Sequence, residues 1–161
     1  MINKKLRIGW FSFSCCEDST IIFIELMNDN FFKWKDMIDF RHVRVLKAKN
    51  ELSDLDVAFV EGAIANDKDE EELKRIRQNS KKLVAIGSCA VKGTPSGQRN
   101  DFDEVKKKEI LPDVIKWGLK DKVKTLKQIV TVDDEVDGCP MNETAFLSVV
   151  DKYLKEFGID A

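Results

Sequence analysis

The sequence predicts an α/β protein, a parallel sheet with helices on both faces. Three observations predict it. Short apolar runs alternate with longer amphipathic stretches along the chain, and strands separated by helices build parallel sheets covered on both sides. Two runs, DVAFVEG (Asp56 to Gly62) and KLVAIGSCA (Lys82 to Ala90), are apolar nearly throughout, as strands buried on both faces are. No repeat, low-complexity tract or linker breaks the alternation, so residues 1–161 read as one domain.

The first strand is LRIGWFSF, ending at Phe13. It runs into a loop with two adjacent cysteines, Cys15 and Cys16. From Asp18, DSTIIFIELMNDNFFKW turns helical. Asp18 or Ser19 is its expected N-cap, because a short side-chain oxygen accepts from the orphan amides of a first turn. RHVRVLKAK (Arg41 to Lys49) alternates apolar and charged residues, which predicts a half-exposed second strand. DVAFVEG is the third. NDKDEEELKRIRQNS (Asn66 to Ser80) opens with acids and closes with bases, as the dipole of a helix favours. KLVAI is the fourth strand, followed by a glycine turn. VKGTPSGQRND is a loop by its Gly, Pro and Ser content. Residues 102–124 are highly charged and helical in part, with Pro112 and Gly118 as breaks. LKQIVTV (Leu126 to Val132) is the last predicted strand. NETAFLSVVDKYLKEFG closes the chain as a helix. Ala145, Phe146, Val149, Val150, Tyr153, Leu154 and Phe157 form its apolar stripe, and Gly158 its C-terminal cap.

The chain is 43% hydrophobic and 35% charged, with a formal net charge of −2. A chain of this length buries a core without disulfide staples. The charge leaves no basic footprint, which argues against nucleic acid as a partner. No apolar run is long enough to span a bilayer, so no direct membrane insertion is expected. The start MINKKLRIGWFSFS imitates a signal peptide, but it has no small-residue cleavage site and no twin-arginine pair. The expected location is the cytoplasm, in a free or a membrane-associated complex. There, cysteines serve catalysis or metals more often than structural disulfides.

All four cysteines fall just after predicted strands: Cys15 and Cys16 after the first, Cys89 after KLVAI, Cys139 after LKQIVTV and an acidic turn. In a parallel sheet those ends share one edge, where α/β sheets place their ligand sites. Adjacent cysteines do not readily bond to each other, because a disulfide needs suitably separated Cα atoms and aligned Cβ vectors. Four thiolates suit zinc or an iron–sulfur cluster. Zinc sites usually draw on paired Cys-x-x-Cys knuckles, which this chain lacks. A cubane accepts ligands from three separate loops, so the spacing leans toward [4Fe–4S]. Four buried free cysteines remain the plain alternative, since cysteine packs as a small apolar residue. Pro140 is expected to hold Cys139 extended.

The motifs CC, VAFVEGAI, AIGSCAVKG and DGCPMNE, in this order, resemble the small-subunit family of [NiFe] hydrogenases, which includes the 20 kDa subunit of respiratory complex I. The resemblance runs from about Leu6 to Phe157 and is nearest to delta- or gamma-type small subunits of archaeal soluble hydrogenases. It implies a flavodoxin-like domain with one proximal [4Fe–4S] cluster. It also implies a large catalytic partner subunit, nickel–iron in a hydrogenase or quinone-binding in a complex I relative. Cys16, Cys89 and Cys139 match the family's ligand positions. Typical hydrogenase small subunits have Cys-x-x-Cys in the first loop, and its first member falls on Phe13 here. The tandem pair instead is similar to that of the complex I subunit, where both cysteines are ligands, which makes Cys15 the fourth. The cluster motifs end with this set, so onward relay is expected to fall to a further electron-carrier subunit. The chain is expected to contribute no catalytic acid, base or nucleophile. A zinc-stabilised module and a metal-free binding relative are the rival readings.

Other residues divide between site and surface. Glu17 reads as a solvated helix-start acid, with a partner-interface role as the rival. Glu61 either hydrogen-bonds in the site loop or faces solvent. Thr94, Pro95 and Ser96 form a surface loop or a cover over the cysteines. Trp10, Phe11 and Phe13 shield the site, pack the core or face a partner. His42 is expected on the surface of the second strand, and EVKKKEI on a solvated helix face.

Overall fold

Successive residues of a strand point to opposite sides of a sheet, and in Leu55–Glu61 both sets are buried. A computed structural model describes residues 4–159 of the chain. In chain order its elements are β1 (Leu6–Ser12), α1 (Asp18–Met37), β2 (Ile38–Val43), β3 (Leu55–Glu61), β4 (Ile64–Asn66), α2 (Asp67–Gln78), β5 (Ser80–Ile86), α3 (Gly87–Lys92), α4 (Glu104–Lys116), β6 (Leu119–Lys124), β7 (Asp134–Val136) and α5 (Glu143–Glu156). The main sheet has the order β2-β1-β3-β5-β7, and every pairing in it is parallel. That is the doubly wound order of flavodoxin-like folds, so the predicted class holds.

Each face carries its own core. On one, Trp10, Phe59 and Ile86 meet Phe23 of α1 and Phe146 and Val150 of α5. Trp10 stacks on Phe23 with ring centroids 4.3 Å apart, and Phe146 meets it edge-on. On the other, Phe11, Val60, Leu83 and Ala85 meet Leu73 and Ile76 of α2 and Ala90 of α3. Two helices start on asparagine caps, where Asn66 accepts from the Asp69 amide and Asn142 from the Ala145 amide.

Several boundaries differ from the expectation. The second strand is Ile38–Val43, not Arg41–Lys49. Its register is set by β1, from Leu6 against Ile38 to Trp10 against Val43. Past Val43 the chain has no strand beside it and turns, with the Leu46 and Lys47 amides both bonding to the Val43 carbonyl. LKQIVTV is not a strand. Leu126 is buried in a 3-10 turn, and Ile129, Val130 and Val132 pack on the α2-side core. Periodicity cannot separate such a partly buried irregular run from a strand. The edge strand is the acidic Asp134–Val136, introduced by Asp133, whose carboxylate accepts from the Leu83 amide at 2.8 Å. A second small sheet, β4 antiparallel to β6, was not expected. The charged LKDKVK carries no apolar alternation to announce it.

Neither Asp18 nor Ser19 caps α1. The cap is Glu17, in the left-handed region at φ 63° and without a side-chain bond. Ser19 lies inside the first turn and faces inward, where its Oγ accepts from the Met141 amide at 3.2 Å. His42 is buried rather than on the surface. Its ring stacks on Phe11 at 4.5 Å, and its Nδ1 has no hydrogen-bond partner. Burial and the nearby Arg44 push its pKa down, so it stays neutral at pH 7.

Candidate functional site

Because β1, β3, β5 and β7 run parallel, their carboxyl ends share one edge. Cys15 and Cys16 follow β1 in a loop, and Cys139 follows β7. Cys89 sits inside the six-residue helix α3 rather than in an open glycine turn. All four cysteines line one cleft, together with Glu61 at the end of β3 and with Ser19. The cleft holds about 260 Å³ of free space, part of it open to solvent. None of the four is in a disulfide. Cys89 is buried, Cys15 half-buried, and Cys16 and Cys139 exposed. Among the described residues, no three His, Cys, Asp or Glu side chains are grouped around a single-ion position.

Backbone and short side chains lock the three segments together. The Ser88 amide bonds to the Gly138 carbonyl at 2.7 Å. Asp137 accepts from Ser88 Oγ and from the Gly138 amide, both at 2.8 Å, and pairs with Lys92. Lys92, Ser88 and that amide hold its carboxyl below the usual carboxylate range. The loop of Cys139 is thereby fixed to the helix of Cys89. On the other side, the Phe13 amide bonds to the Glu61 carbonyl at 2.9 Å, and Ser14 bridges to Ala63.

Glu61 is 2% exposed. Its Oε1 accepts from Cys15 Sγ at 3.0 Å and its Oε2 from Thr20 Oγ1 at 2.9 Å. Thr20 Oγ1 in turn accepts from Trp10 Nε1 at 2.8 Å. Burial pushes the Glu61 carboxyl up, although both hydrogen bonds favour its ionised form. Cys15 is pushed up as well, by burial first and then by Glu61 and Cys89, against the Glu17 amide that favours its thiolate. At Cys16 the Asp18 amide also favours the thiolate, but burial, the Asp18 carboxylate and Cys139 outweigh it.

The sequence model of the family described as NADH ubiquinone oxidoreductase, 20 Kd subunit, matches residues 16–153. The chain belongs to this family. The matched span holds Cys16, Cys89 and Cys139, and Cys15 lies one residue before it. Among relatives of this 20 kDa subunit-type chain, one subunit of the F420-non-reducing hydrogenase of Methanothermobacter marburgensis is 33% identical over 120 residues, covering 66% of this chain and 39% of the relative. Sulfhydrogenase 2 subunit delta of Pyrococcus furiosus is 25% identical, covering 90% of this chain and 60% of the relative. The chain thus spans less than two thirds of either relative. In three dimensions it resembles a chain of the NAD+-reducing [NiFe]-hydrogenase in the H2-reduced state, with TM-score 0.78 and 23% identity over 94% of this chain and 93% of that one. At that identity the likeness establishes the fold.

In this member of the 20 kDa subunit family, the structure gathers all four expected cysteines and places several of the other residues. Glu61 belongs to the site. Glu17 is exposed. Trp10 and Phe11 lie in the two cores, Phe13 packs against the second, and none of them lines the cleft. The Thr94–Ser96 loop does not line it either. Sequence reasoning missed Thr20, Ser88 and Asp137. Ser88 stands between Gly87 and Cys89, and Asp137 directly before Gly138 and Cys139, neighbourhoods that could have marked them; nothing in the sequence marked Thr20.

Gly138 makes the Cys139 loop possible. Its φ is +124°, and a Cβ there would lie 2.4 Å from the Pro140 carbonyl oxygen. Gly138→Ala is expected to cost about 1–3 kcal/mol of backbone strain and to move Cys139. Thermal melts check the first effect, and the alkylation rate of the exposed Cys139 thiol checks the second.

Proposed function

We propose that this chain is the electron-relay subunit of a hydrogenase-type oxidoreductase, holding one [4Fe–4S] cluster on Cys15, Cys16, Cys89 and Cys139. One observation carries the reading: the chain's only four cysteines come from three distant segments and line a single cleft. The donor set fits the group, because thiolates are the soft ligands iron–sulfur clusters take. The Glu17 and Asp18 amides favour the thiolate forms of Cys15 and Cys16, and amides directed at sulfur are one lever on cluster potential. When bound, the cluster would supply one-electron transfer. The protein's own part is to hold the four sulfurs, exclude water on the Cys89 side and orient the loops.

The exposure of Cys16 and Cys139 favours a partner on this edge. A cluster held by outward-facing thiols gains a dry environment only when another surface covers it. We assign that surface to a large catalytic subunit, with nickel–iron chemistry as the first expectation from the hydrogenase relatives and a quinone-type partner as the second. The catalytic centre then lies in that subunit, and an external or further carrier subunit exchanges electrons with this one. The chain is read as one cytoplasmic domain. No helix among the described residues is long and apolar enough to cross a membrane.

Cys15→Ser tests the tandem assignment. The account expects loss of about one iron in four and the appearance of a three-iron EPR signal in the oxidised protein, since the buried Cys89 still holds the inner side of the cluster while the corner at Cys15 loses its thiolate. Full four-iron content in this variant would remove Cys15 from the ligand set.

A further inference from the structure

We infer that Glu61 is a positioning residue that aims Cys15 into the cleft before iron arrives. The inference rests on the reading of Cys15 as an iron ligand. Cys15 and Cys16 are adjacent, at a bend that follows β1, and successive side chains point apart wherever the chain is extended. Something must turn both toward one cleft. For Cys16 the cleft mouth is open. For Cys15, half-buried, the side chain that holds it is Glu61, beside a longer contact to the Phe13 carbonyl at 3.6 Å.

The geometry is specific. Glu61 ends β3, where a strand side chain facing the cleft is fixed by the sheet on both sides, between Ser12 of β1 and Ile86 of β5. Its two oxygens have separate duties. Oε1 takes the Cys15 thiol at 3.0 Å, and Oε2 takes the Thr20 hydroxyl at 2.9 Å. Thr20 sits in the first turn of α1 and is itself held by the indole of Trp10, a core residue. Ser12 Oγ lies 3.3 Å from the same hydroxyl. The chain of contacts runs from the core, through Trp10 and Thr20, to Glu61 and then to Cys15. A carboxylate that is 2% exposed costs free energy to bury and is retained where its hydrogen bonds are filled. Supporting groups that orient a metal ligand commonly change metal affinity 10–100-fold when removed.

The predictions separate positioning from folding. Glu61→Ala removes both bonds, and Thr20→Val removes only the anchor on Oε2. Glu61→Gln keeps one acceptor oxygen at nearly the same place and is the conservative rescue. Each variant is purified anaerobically, reconstituted with ferrous iron and sulfide, and read by iron content and by EPR of the oxidised protein. A melt of each metal-free protein reports folding. The expected result is a three-iron signal in Glu61→Ala matching that of Cys15→Ser, a smaller three-iron fraction in Thr20→Val, and four-iron content restored in Glu61→Gln. If Glu61→Ala does not fold, the Thr20→Val signal decides. Full four-iron content without a three-iron signal in Glu61→Ala, or in Thr20→Val where the former does not fold, would overturn the inference. A Cys15→Ser protein that keeps four irons overturns instead the ligand reading on which it rests.

Discussion

Cys89→Ser protein is expected to emerge from anaerobic purification nearly free of iron and sulfide while remaining folded. Cys89 is the buried member of the set, at 6% exposure, and sits on the inner side of the cleft. It is carried by a short helix that Ser88 and Asp137 tie to the Cys139 loop. A cluster can migrate toward solvent on exposed ligands, but it cannot dispense with the thiolate that holds its inner corner. Serine keeps the shape of the side chain and removes the soft donor. The loss should therefore be of the cofactor and not of the fold. Visible absorbance, iron and sulfide analysis and a thermal melt of the metal-free protein are the measurements. A Cys89→Ser protein with about four irons would remove the residue from the site. One that is unfolded would show that the thiol's role is packing.

Asp56→Ala is expected to be strongly destabilising although it lies far from the cysteines, at about 3–5 kcal/mol. Asp56 lies at the amino end of β3, opposite the cleft, and is 3% exposed. Its Oδ2 accepts from the amide and Nε of Arg7 at 3.0 and 2.9 Å, and its Oδ1 from Arg7 Nη2 and Lys81 Nζ, both at 2.8 Å. Removing it leaves Arg7 with only the exposed Asp54 as partner. Urea titration gives the size of the loss. The same network sets a pH dependence. Burial opposes ionisation of Asp56, but Arg7 and Lys81 overcome it and hold the carboxyl well below the usual carboxylate range. A depressed folded-state pKa contributes stability that is fully present above the unfolded value of about 3.9. That contribution is lost as pH falls from there through the folded pKa. The stability difference between wild type and Asp56→Ala should be constant near neutrality and should shrink below about pH 4. A difference that does not change down to pH 2 would contradict the ion-pair account.

Much of the fold was legible because its strands are buried on both faces. Inside DVAFVEG and KLVAI, the stretches VAFV and LVAI have no polar residue to place outward, so a strand was the reading their length favoured. The edges were harder. LKQIVTV has a strand's composition but lies as a partly buried irregular turn over the α2-side core, and the true edge strand begins with two acids that only an edge tolerates. The length of β2 is set by its partner β1 and not by its own alternation. The site followed the same division. Cysteines are rare enough for position alone to mark all four. Glu61 at a strand end carried no such mark, and Thr20 looked like any helix-start hydroxyl. His42 was misplaced because a polar residue in an alternating run reads as outward, whereas the ring of Phe11 covers it.

The central claim is that these four thiols hold an iron–sulfur cubane. It is tested most directly by metal and sulfide analysis of the wild-type protein purified without oxygen, with EPR after reduction. The account predicts about four irons and four sulfides per chain and a signal only in the reduced state. One zinc per chain, with no iron or sulfide and no EPR signal in either state, would contradict it.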